Sequence, residues 1–381
     1  MPVCSPAGSA KSRKEMEATP GIEPGYADLQ SAASPLRHVA SRKRMPGTRP
    51  GKAAGGYSRP ARSRTTAALG ITHFRQIRAI GSPEPLGRID LFRFVTAACA
   101  AALLFAAAPA FAADILIKDA KSQPESLAHA PDGTLIVGSA STPYVYKIKP
   151  GSTTPEVFID ASAEGPGTFF FGQLVDGDTV WSCMLTPNAG STPVTRHTSL
   201  IGTDLKTGAR KLRWTLPGDN STCNDFAVGP DKALYISDTA NARIYRLAPG
   251  ATSAELWLEN RSVTGIDGIT FLNGVLYYNS VFFNNLYRVP VDAQGKPGTP
   301  VQIWMDAPVK GPDGMRAQGD KLFHAENGAG KIDMLTIDGD KAHVTVLKDG
   351  LNTPTAVQPA GDVLWIAERG AGKAVSIPTP K

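Results

Sequence analysis

A short pattern recurs six times between residues 125 and 366, and this repeat constrains the fold of the chain more than any other feature. Each copy starts with a polar or small residue, runs into an apolar strand, turns, and opens a second apolar strand 9 or 10 residues after its first position. Successive copies lie 42 to 52 residues apart. Their first positions are Glu125, Gly172, Asn224, Asp267, Asp313 and Thr355. Self-similarity at this period indicates one repeat domain in which neighbouring copies bury each other's apolar faces.

Two further strands follow the first two in most copies. The third strand is expected at residues 144–148, 244–247, 286–289 and 331–336, and the fourth at 156–159, 254–258, 301–305 and 343–347. No segment of helical period separates the strands, which excludes a parallel α/β fold. Four short strands per unit predict an all-β, six-bladed β-propeller with four antiparallel strands per blade over residues 113–381. We expect the strand Asp114–Lys118 to complete the last blade, because this closes the ring without an open edge.

Large apolar residues in the strands are expected to form the core between blades, since aromatic and β-branched side chains in strands are usually buried. The residues predicted for this role are Val137, Trp181, Ile236, Phe271 and Trp365. The run Phe169–Phe171 allows two interpretations, an apolar wall over the channel mouth or burial between blades, and we favour burial.

The basic charge of the chain is concentrated before the repeats. Residues 1–112 hold 16 Lys and Arg against 6 Asp and Glu, whereas residues 113–381 hold 24 against 28. Nucleic acid is therefore not expected as a partner of the repeat domain. Residues 1–87 are rich in Arg, Ser, Gly, Pro and Ala without a sustained hydrophobic period, which predicts disorder. The run Gly21–His38 resembles a translated bacterial transfer-RNA gene, so residues 1–87 are either a mis-called start, which we favour, or a genuine disordered basic extension.

Residues 88–112 have the order of a secretion signal. Arg88 and Arg93 precede an apolar run over residues 94–105, and Ala110 and Ala112 supply small residues for a cleavage site. The alternative, a transmembrane anchor, is disfavoured by Pro109 and the Ala-rich composition. We expect cleavage after Ala112 and a periplasmic or secreted domain without a stable membrane anchor.

Two cysteines remain after this cleavage, Cys183 and Cys223. An oxidising compartment permits a disulfide between them. Because both lie near the inner part of neighbouring repeats, pairing is geometrically allowed. Two separate buried thiols are the alternative that the sequence leaves open.

The first positions of the repeats start the innermost strands and are expected to point toward the central channel. Glu125, Asn224, Asp267 and Asp313 there offer oxygen donors, which suit calcium and, less selectively, magnesium or manganese. Carboxylates gathered around one axis repel each other, so a divalent cation is the natural counter-charge. The alternative is that these dipeptides are ordinary turns, which is their commonest use. The shared register favours a metal site.

These residues resemble the gluconolactonase and senescence-marker-protein family of calcium-dependent six-bladed propellers, which are kin to paraoxonases and diisopropylfluorophosphatase. Asn224-Asp225 is similar to the family's Asn-Asp motif, and Pro312–Met315 to its Pro-Asp-Gly-Met motif. Glu125 stands in P-E-S-L where the family usually has E-G-P, and Asp267-Gly268 replaces Asn-Gly. The resemblance extends over residues 120–370, although each motif is short.

The resemblance implies a lactonase or esterase acting on a small-molecule lactone or ester. Glu125, Asn224, Asp267 and Asp313 would hold a divalent cation, expected to be calcium, and Asp313 would also be the catalytic general base. The additional charge of Asp267 is expected to tighten cation binding and to weaken its action as a Lewis acid. Alternatives are a non-catalytic propeller that binds a protein or carbohydrate at its rim, and a condensing propeller similar to strictosidine synthase.

A second group of polar residues is expected to orient the ligands or to contact substrate. Its members are Asp225, Asp238, Asn279, Glu326, His129 and His324, and Glu368 has a similar phase to Asp238. The alternatives are solvated loop residues and, for the two histidines, ordinary structural side chains.

Overall fold

The computed structural model describes residues 114–118, 121–188, 190–191, 195–292 and 294–380. Within them the chain is all-β, with 24 strands and two short 3-10 helices, Ser162–Glu164 and Arg369–Ala371. No helix of these residues has both the length and the apolar character needed to span a membrane. The basic extension (1–87) and the expected signal segment (88–112) lie outside the described residues.

The strands form successive four-stranded antiparallel meanders, here called units 1 to 6. Unit 1 comprises β2 (Pro124–His129), β3 (Leu135–Ser139), β4 (Tyr144–Ile148) and β5 (Glu156–Asp160). Unit 2 comprises β6 (Phe169–Asp176), β7 (Thr179–Pro187), β8 (Arg196–Asp204) and β9 (Arg210–Thr215). Unit 3 comprises β10 (Cys223–Val228), β11 (Leu234–Asp238), β12 (Arg243–Leu247) and β13 (Glu255–Glu259).

The second half of the described chain repeats this order. Unit 4 comprises β14 (Ile266–Leu272), β15 (Val275–Ser280), β16 (Asn285–Val289) and β17 (Val301–Met305). Unit 5 comprises β18 (Pro312–Gln318), β19 (Lys321–Glu326), β20 (Lys331–Asp338) and β21 (Lys341–Lys348). Unit 6 comprises β22 (Pro354–Ala360), β23 (Val363–Glu368), β24 (Lys373–Pro378) and, from the start of the described chain, β1 (Ile115–Leu116).

The first strand of each unit contacts the first strand of the next, and β22 contacts β2, so these six inner strands form a closed ring. β1 pairs with β24, as the sequence predicts for the strand near residues 114–118, and thereby joins the two ends of the ring. Units 4 and 5 share one eight-stranded sheet, because their outer strands β17 and β21 add a short parallel pair. The described domain is therefore propeller-like.

A β-bulge interrupts the pairing of every inner strand near its start. The register between the first two strands shifts after Pro124, Phe170, Cys223, Ile266, Pro312 and Pro354. A bulge leaves residues outside the regular ladder and redirects their side chains. The first bulged residues of units 1 to 5 are Glu125, Phe171, Asn224, Asp267 and Asp313. The sequence alignment of unit 2 was therefore wrong by one residue, because Phe171 and not Gly172 occupies the position of Glu125.

Glycine follows the first bulged residue where the inner strands approach most closely. A Cβ atom on Gly172 would lie 2.0 Å from the carbonyl oxygen of Asn224, and one on Gly268 would lie 2.4 Å from that of Asp313. Both distances are shorter than a real Cβ contact allows. The Asp-Gly sequence at Asp267 consequently reflects close packing of two inner strands, and its glycine is not there for a turn.

The apolar core lies in layers between neighbouring units. Val137 and Ile236 are fully buried and Trp365 nearly so, while Trp181 and Phe271 are partly buried against the core clusters. Phe170 and Phe171 are buried in the layers on either side of unit 2, which confirms burial between units for this aromatic run.

Cys183 on β7 and Cys223 on β10 form a disulfide, with their Cα atoms 5.3 Å apart. Both side chains are buried in the layer between units 2 and 3. The bond covalently links two neighbouring units, and Cys223 directly precedes Asn224. The structure therefore resolves the alternative left open by the sequence in favour of the disulfide.

Replacing both cysteines, Cys183→Ala with Cys223→Ala, should lower the free energy of unfolding by about 2–4 kcal/mol, because the unfolded chain regains the freedom of a loop closed over 40 residues. Guanidinium unfolding measures the change. In a strong reductant the free energy of unfolding of the native protein should fall toward that of the double variant. The free energy of unfolding of the double variant should not change with the reductant. A native protein insensitive to reductant would contradict the bond.

Candidate metal centre

The four residues expected to bind a cation lie at the bulges of units 1, 3, 4 and 5 and are all buried. The exposed fractions are 2% for Glu125, 4% for Asn224, 0% for Asp267 and 1% for Asp313. Asn224 Nδ2 donates to Asp267 Oδ2 at 2.9 Å, and the carboxyl groups of Asp267 and Asp313 are hydrogen-bonded to each other. Side chains from units 3, 4 and 5 are thereby in direct contact.

Glu125 approaches this group from unit 1. Burial and the negative charges of Asp313 and Asp225 raise the pKa of Glu125 well above its ordinary value, against the opposing effect of Arg369. Its Oε1 atom is buried and has no hydrogen-bond partner. A buried carboxylate oxygen without a donor is costly, and a cation bound beside this atom would satisfy it.

The pKa values of Asp267 and Asp313 are also raised by their surroundings. Burial, followed by the charges of Asp313 and Glu125, raises the pKa of Asp267 well above its ordinary value. Burial also raises the pKa of Asp313 to about 7, although hydrogen bonds and the guanidinium of Arg369 act in the opposite direction. Without a cation the group retains protons, which a bound cation would displace.

The donor set fits a hard divalent cation. Three carboxyl groups and one amide are available there, although the oxygens of the three carboxyl groups do not all lie within 4.8 Å of one another. Nδ2 of Asn224 is committed to Asp267 and to Thr239 Oγ1, at 2.9 and 3.0 Å. The oxygen of this amide is therefore the atom left for a cation. Oxygen ligands of mixed carboxylate and amide type are those preferred by calcium.

Asn279 holds two bulges together. Its Oδ1 accepts the backbone N–H of Gly268 at 2.9 Å, and its Nδ2 donates to the backbone oxygen of Asp313 at 2.6 Å. Ser237 does the same one unit earlier, between the N–H of Asp225 and the backbone oxygen of Asp267, both at 2.8 Å. The expectation that Asn279 orients the ligand positions agrees with this geometry.

Asp225 is committed to a buried ion pair and not to the cation set. Its Oδ2 accepts Arg316 Nη1 at 2.7 Å and the N–H of Ile269 at 3.2 Å. Arg316, on the inner strand of unit 5, also donates to the backbone oxygen of Gln173 and to Gln358 Oε1. One guanidinium therefore joins units 2, 3, 5 and 6.

Carboxylates at the end of the second strands have a different role from the expected one. Each accepts a backbone N–H 16 residues earlier, in the loop that enters its own inner strand: Asp238 from Thr222, Glu326 from Lys310 and Glu368 from Asn352. The distances are 2.6 to 2.8 Å. Asn279 was assigned the same phase as Asp238, but the residue with this position in unit 4 is Ser280, which bonds the backbone oxygen of Thr264. The rim carboxylates fix loops and do not contact the four donors in these bonds.

The two histidines are not brought to the four donors. His129 ends β2, four residues beyond Glu125, which along a strand amounts to about 13 Å. Its pKa is lowered by partial burial. His324 is buried on β19 and bonds Asp333 Oδ2 at 3.1 Å.

Three residues at the site were missed by the sequence reasoning. Arg316 had a detectable signal, because an arginine two residues after the Asp-Gly pair of an inner strand must find a buried partner. Asn327, whose Nδ2 donates to Asp313 Oδ2 at 3.1 Å, follows Glu326 directly and looked like a loop residue. Arg369 lies in a 3-10 helix of unit 6, and no pattern connects it with Glu125.

The fold and this site define an all-β protein of propeller type with a buried oxygen-rich group on its axis. No family model matches the chain, and no curated protein matches it by sequence. Similar solved structures include a gluconolactonase from Xanthomonas campestris, with 18% sequence identity and a TM-score of 0.52. The superposition covers 68% of this chain and 88% of the gluconolactonase.

Two other solved structures have the same degree of similarity. A calcium-binding protein, regucalcin from Agrobacterium tumefaciens, is 19% identical, covers 70% of this chain and 93% of that chain, and has a TM-score of 0.51. A virginiamycin B lyase from Staphylococcus aureus is 15% identical, covers 70% of this chain and 99% of that chain, and has a TM-score of 0.51. These neighbours agree with the resemblance read from the sequence, and at such identities they establish the fold.

Replacing Arg316 with Met should lower the free energy of unfolding by about 3–5 kcal/mol, because it leaves the carboxylate of Asp225 buried without its ion pair. Chemical denaturation measures the loss. Adding Asp225→Asn to this variant should restore part of it. The matched control is Arg288→Met, which breaks an exposed pair with Asp340 and should have a much smaller effect. Equal losses in Arg316→Met and Arg288→Met would contradict the interpretation.

Proposed function

We propose that the protein is an exported six-bladed propeller that hydrolyses lactones or related esters with a divalent cation, calcium, in its central channel. The observation that carries the proposal is the burial of Glu125, Asn224, Asp267 and Asp313 at the bulges of four inner strands, with Asn224, Asp267 and Asp313 hydrogen-bonded in a chain and Glu125 Oε1 lacking a donor. The ring of inner strands supports six blades, one for each meander.

The donor chemistry supports calcium, and one of the similar solved structures is described as a calcium-binding protein. When bound, such a cation supplies the positive charge that polarises an ester carbonyl and stabilises the oxyanion formed on addition of water. The lactone class follows from the sequence resemblance and from the gluconolactonase among the similar structures.

The residues of this chain have separate roles in the proposed reaction. Asp313 is the general base that accepts a proton from the attacking water. The N–H of Gly314 bonds its Oδ1 at 3.0 Å and Asn327 bonds its Oδ2, so the carboxyl group is fixed in orientation. Arg316 neutralises the buried carboxylate of Asp225, and Asn279 ties the bulge of unit 4 to that of unit 5.

Export to the periplasm or the cell exterior is part of the proposal. The leader-like order of residues 88–112 supports it. The disulfide between Cys183 and Cys223 supports it independently, because such bonds persist in oxidising compartments.

One observation favours a second candidate function. The four donors are between 0% and 4% exposed, so little of the group faces solvent. A cation held there would then stabilise a scaffold whose rim binds a protein or a carbohydrate, without hydrolysis.

Glu125→Gln and Asp313→Asn should each weaken calcium binding by at least about 100-fold, because each neutralises a charged ligand while keeping its shape. Both should abolish chelator-sensitive hydrolysis of a lactone and aryl-ester panel. Calorimetry and turnover assays on the purified protein measure the two effects, and circular dichroism checks the fold.

The matched control is Asp320→Asn, an exposed aspartate paired with Lys321, which should change neither property. Calcium binding without turnover on any substrate would favour the scaffold. Absence of calcium binding by the native protein would refute both functions.

Asp267→Asn should weaken calcium binding and raise turnover at saturating calcium, because it removes a negative charge while keeping an oxygen that can accept from Asn224. The calcium-free variant should also melt a few degrees higher than the calcium-free native protein, since one buried carboxyl group is removed. Calorimetric titration and thermal melts in excess chelator test these expectations. A calcium-free variant that melts lower would show that Asp267 stabilises the fold by itself.

A further inference from the structure

A second group of ionisable side chains is buried away from the four central donors. His324 and Glu326 lie on β19 and Asp333 lies on β20, with exposed fractions of 1%, 2% and 0%. One ligand atom from each of them lies within 4.8 Å of the other two. Among the described residues these three are the group of His, Cys, Asp and Glu side chains whose ligand atoms all lie within 4.8 Å of one another, so they are packed more tightly than the three central carboxyl groups.

Strand register explains why the three side chains meet. His324 and Asp333 are paired directly across β19 and β20, and Glu326 lies two residues further along the same face of β19. Leu322 and Leu335, the preceding pair on this face, pack against apolar residues of unit 4. The three ionisable side chains therefore occupy a layer between units 4 and 5 that is otherwise apolar.

The bonds within this group leave one ring nitrogen unsatisfied. His324 Nε2 bonds Asp333 Oδ2 at 3.1 Å, and Glu326 Oε2 accepts the N–H of Lys310 at 2.6 Å. The carboxyl groups of Glu326 and Asp333 also share a hydrogen bond, whereas His324 Nδ1 is buried without a hydrogen-bond partner. Leaving a buried polar atom without a partner is unfavourable. This ring nitrogen, together with the two adjacent carboxyl groups, indicates that a cationic partner fits there.

We propose that His324, Glu326 and Asp333 form a binding site for a transition-metal cation of the zinc type, separate from the central oxygen donors. One imidazole and two carboxylates are ligands that zinc accepts, whereas hard cations such as calcium prefer oxygen alone. Ligand atoms around a tetrahedral zinc ion lie roughly 3.5 Å apart, and the three ligand atoms here lie within 4.8 Å of one another, so side-chain shifts of about 1 Å bring them to that spacing.

The position of this site gives the bound cation a structural effect. Glu326 fixes Lys310 in the loop that enters β18, and Asn327, the next residue, bonds Asp313 Oδ2. A cation that immobilises Glu326 therefore stiffens both connections to the inner strand of unit 5. The site itself does not depend on the central group binding calcium or on hydrolysis.

Cobalt(II) replaces zinc in such sites and gives visible absorption bands, so it is the probe. The purified protein is freed of metal with a chelator, saturated with calcium and titrated with cobalt and then with zinc. We expect one equivalent of cobalt to bind despite the calcium, and one equivalent of zinc to displace it. His324→Gln and Asp333→Asn should each weaken cobalt binding by at least about 100-fold.

The chain offers a matched control for the histidine. His343 bonds Asp306 on the protein surface, so His343→Gln removes a second His–Asp pair that is exposed and not buried. This variant should bind cobalt normally, and so should Asp313→Asn. Loss of cobalt binding in His343→Gln with retention in His324→Gln would overturn the proposal, and so would a native protein that binds no cobalt or zinc once calcium is present.

A measurement on the native protein covers the case in which the variants do not fold. Pulsed electron paramagnetic resonance with copper(II) at one equivalent should show nitrogen coupling from a directly bound imidazole. The four central donors are all oxygen ligands, so copper bound there would lack this coupling. Absence of nitrogen coupling in the calcium-saturated native protein would refute the site.

Discussion

The structure depends on a conflict between like charges that the fold itself creates. Bulges in the inner strands turn Glu125, Asp267 and Asp313 toward one another, where little water can screen their repulsion. At the bulges of units 2, 4 and 5 a glycine brings the next inner strand into close contact, so the inner strands cannot move apart there without breaking the ring. The group therefore either retains protons or binds a cation. The raised pKa values of all three carboxyl groups show that the fully charged state is unfavourable without a cation.

Hydrogen bonds between units offset the repulsion between these carboxyl groups by holding the bulges in place. Ser237 and Asn279 each tie the bulge of their own unit to the backbone of a donor in the next, and Arg316 neutralises Asp225 within the same ring. None of these contacts is local in sequence. A propeller-like ring supports them because each unit packs on both neighbours, and the disulfide to Cys223 adds a covalent tie immediately before Asn224. Rigid surroundings are what allow a buried charge cluster to persist in a protein of ordinary stability.

The sequence predicted the parts of this structure that repeat. Strand order, core residues and four of the first bulged positions follow from period and phase alone, and so do the strands from residue 144 to 148 and from 301 to 305. The sequence-based predictions were wrong where a shift of one residue changes which side chain faces the site. Gly172 was aligned in place of Phe171, and Asn279 was given the phase of its neighbour Ser280, because a bulge adds a residue that no hydrophobic period records. Arg316 was missed for another reason, since its partners are more than 40 residues away and pairing across a ring leaves no trace in local patterns.

The two groups of buried polar side chains differ in their position on the strands: the oxygen donors lie at bulges, and the His324 group lies in the regular ladder. In units 1, 3, 4 and 5 the first residue that leaves the ladder at the bulge is an oxygen donor, whereas His324 and Asp333 remain in the ladder and face the neighbouring unit. The imidazole of His324 lies beside a carboxylate because β19 and β20 pair His324 directly with Asp333. Glu326 connects the two environments, since it lies with His324 while the next residue, Asn327, reaches Asp313. The end of β19 therefore connects the layer between units 4 and 5 with the central oxygen donors through two adjacent residues, Glu326 and Asn327.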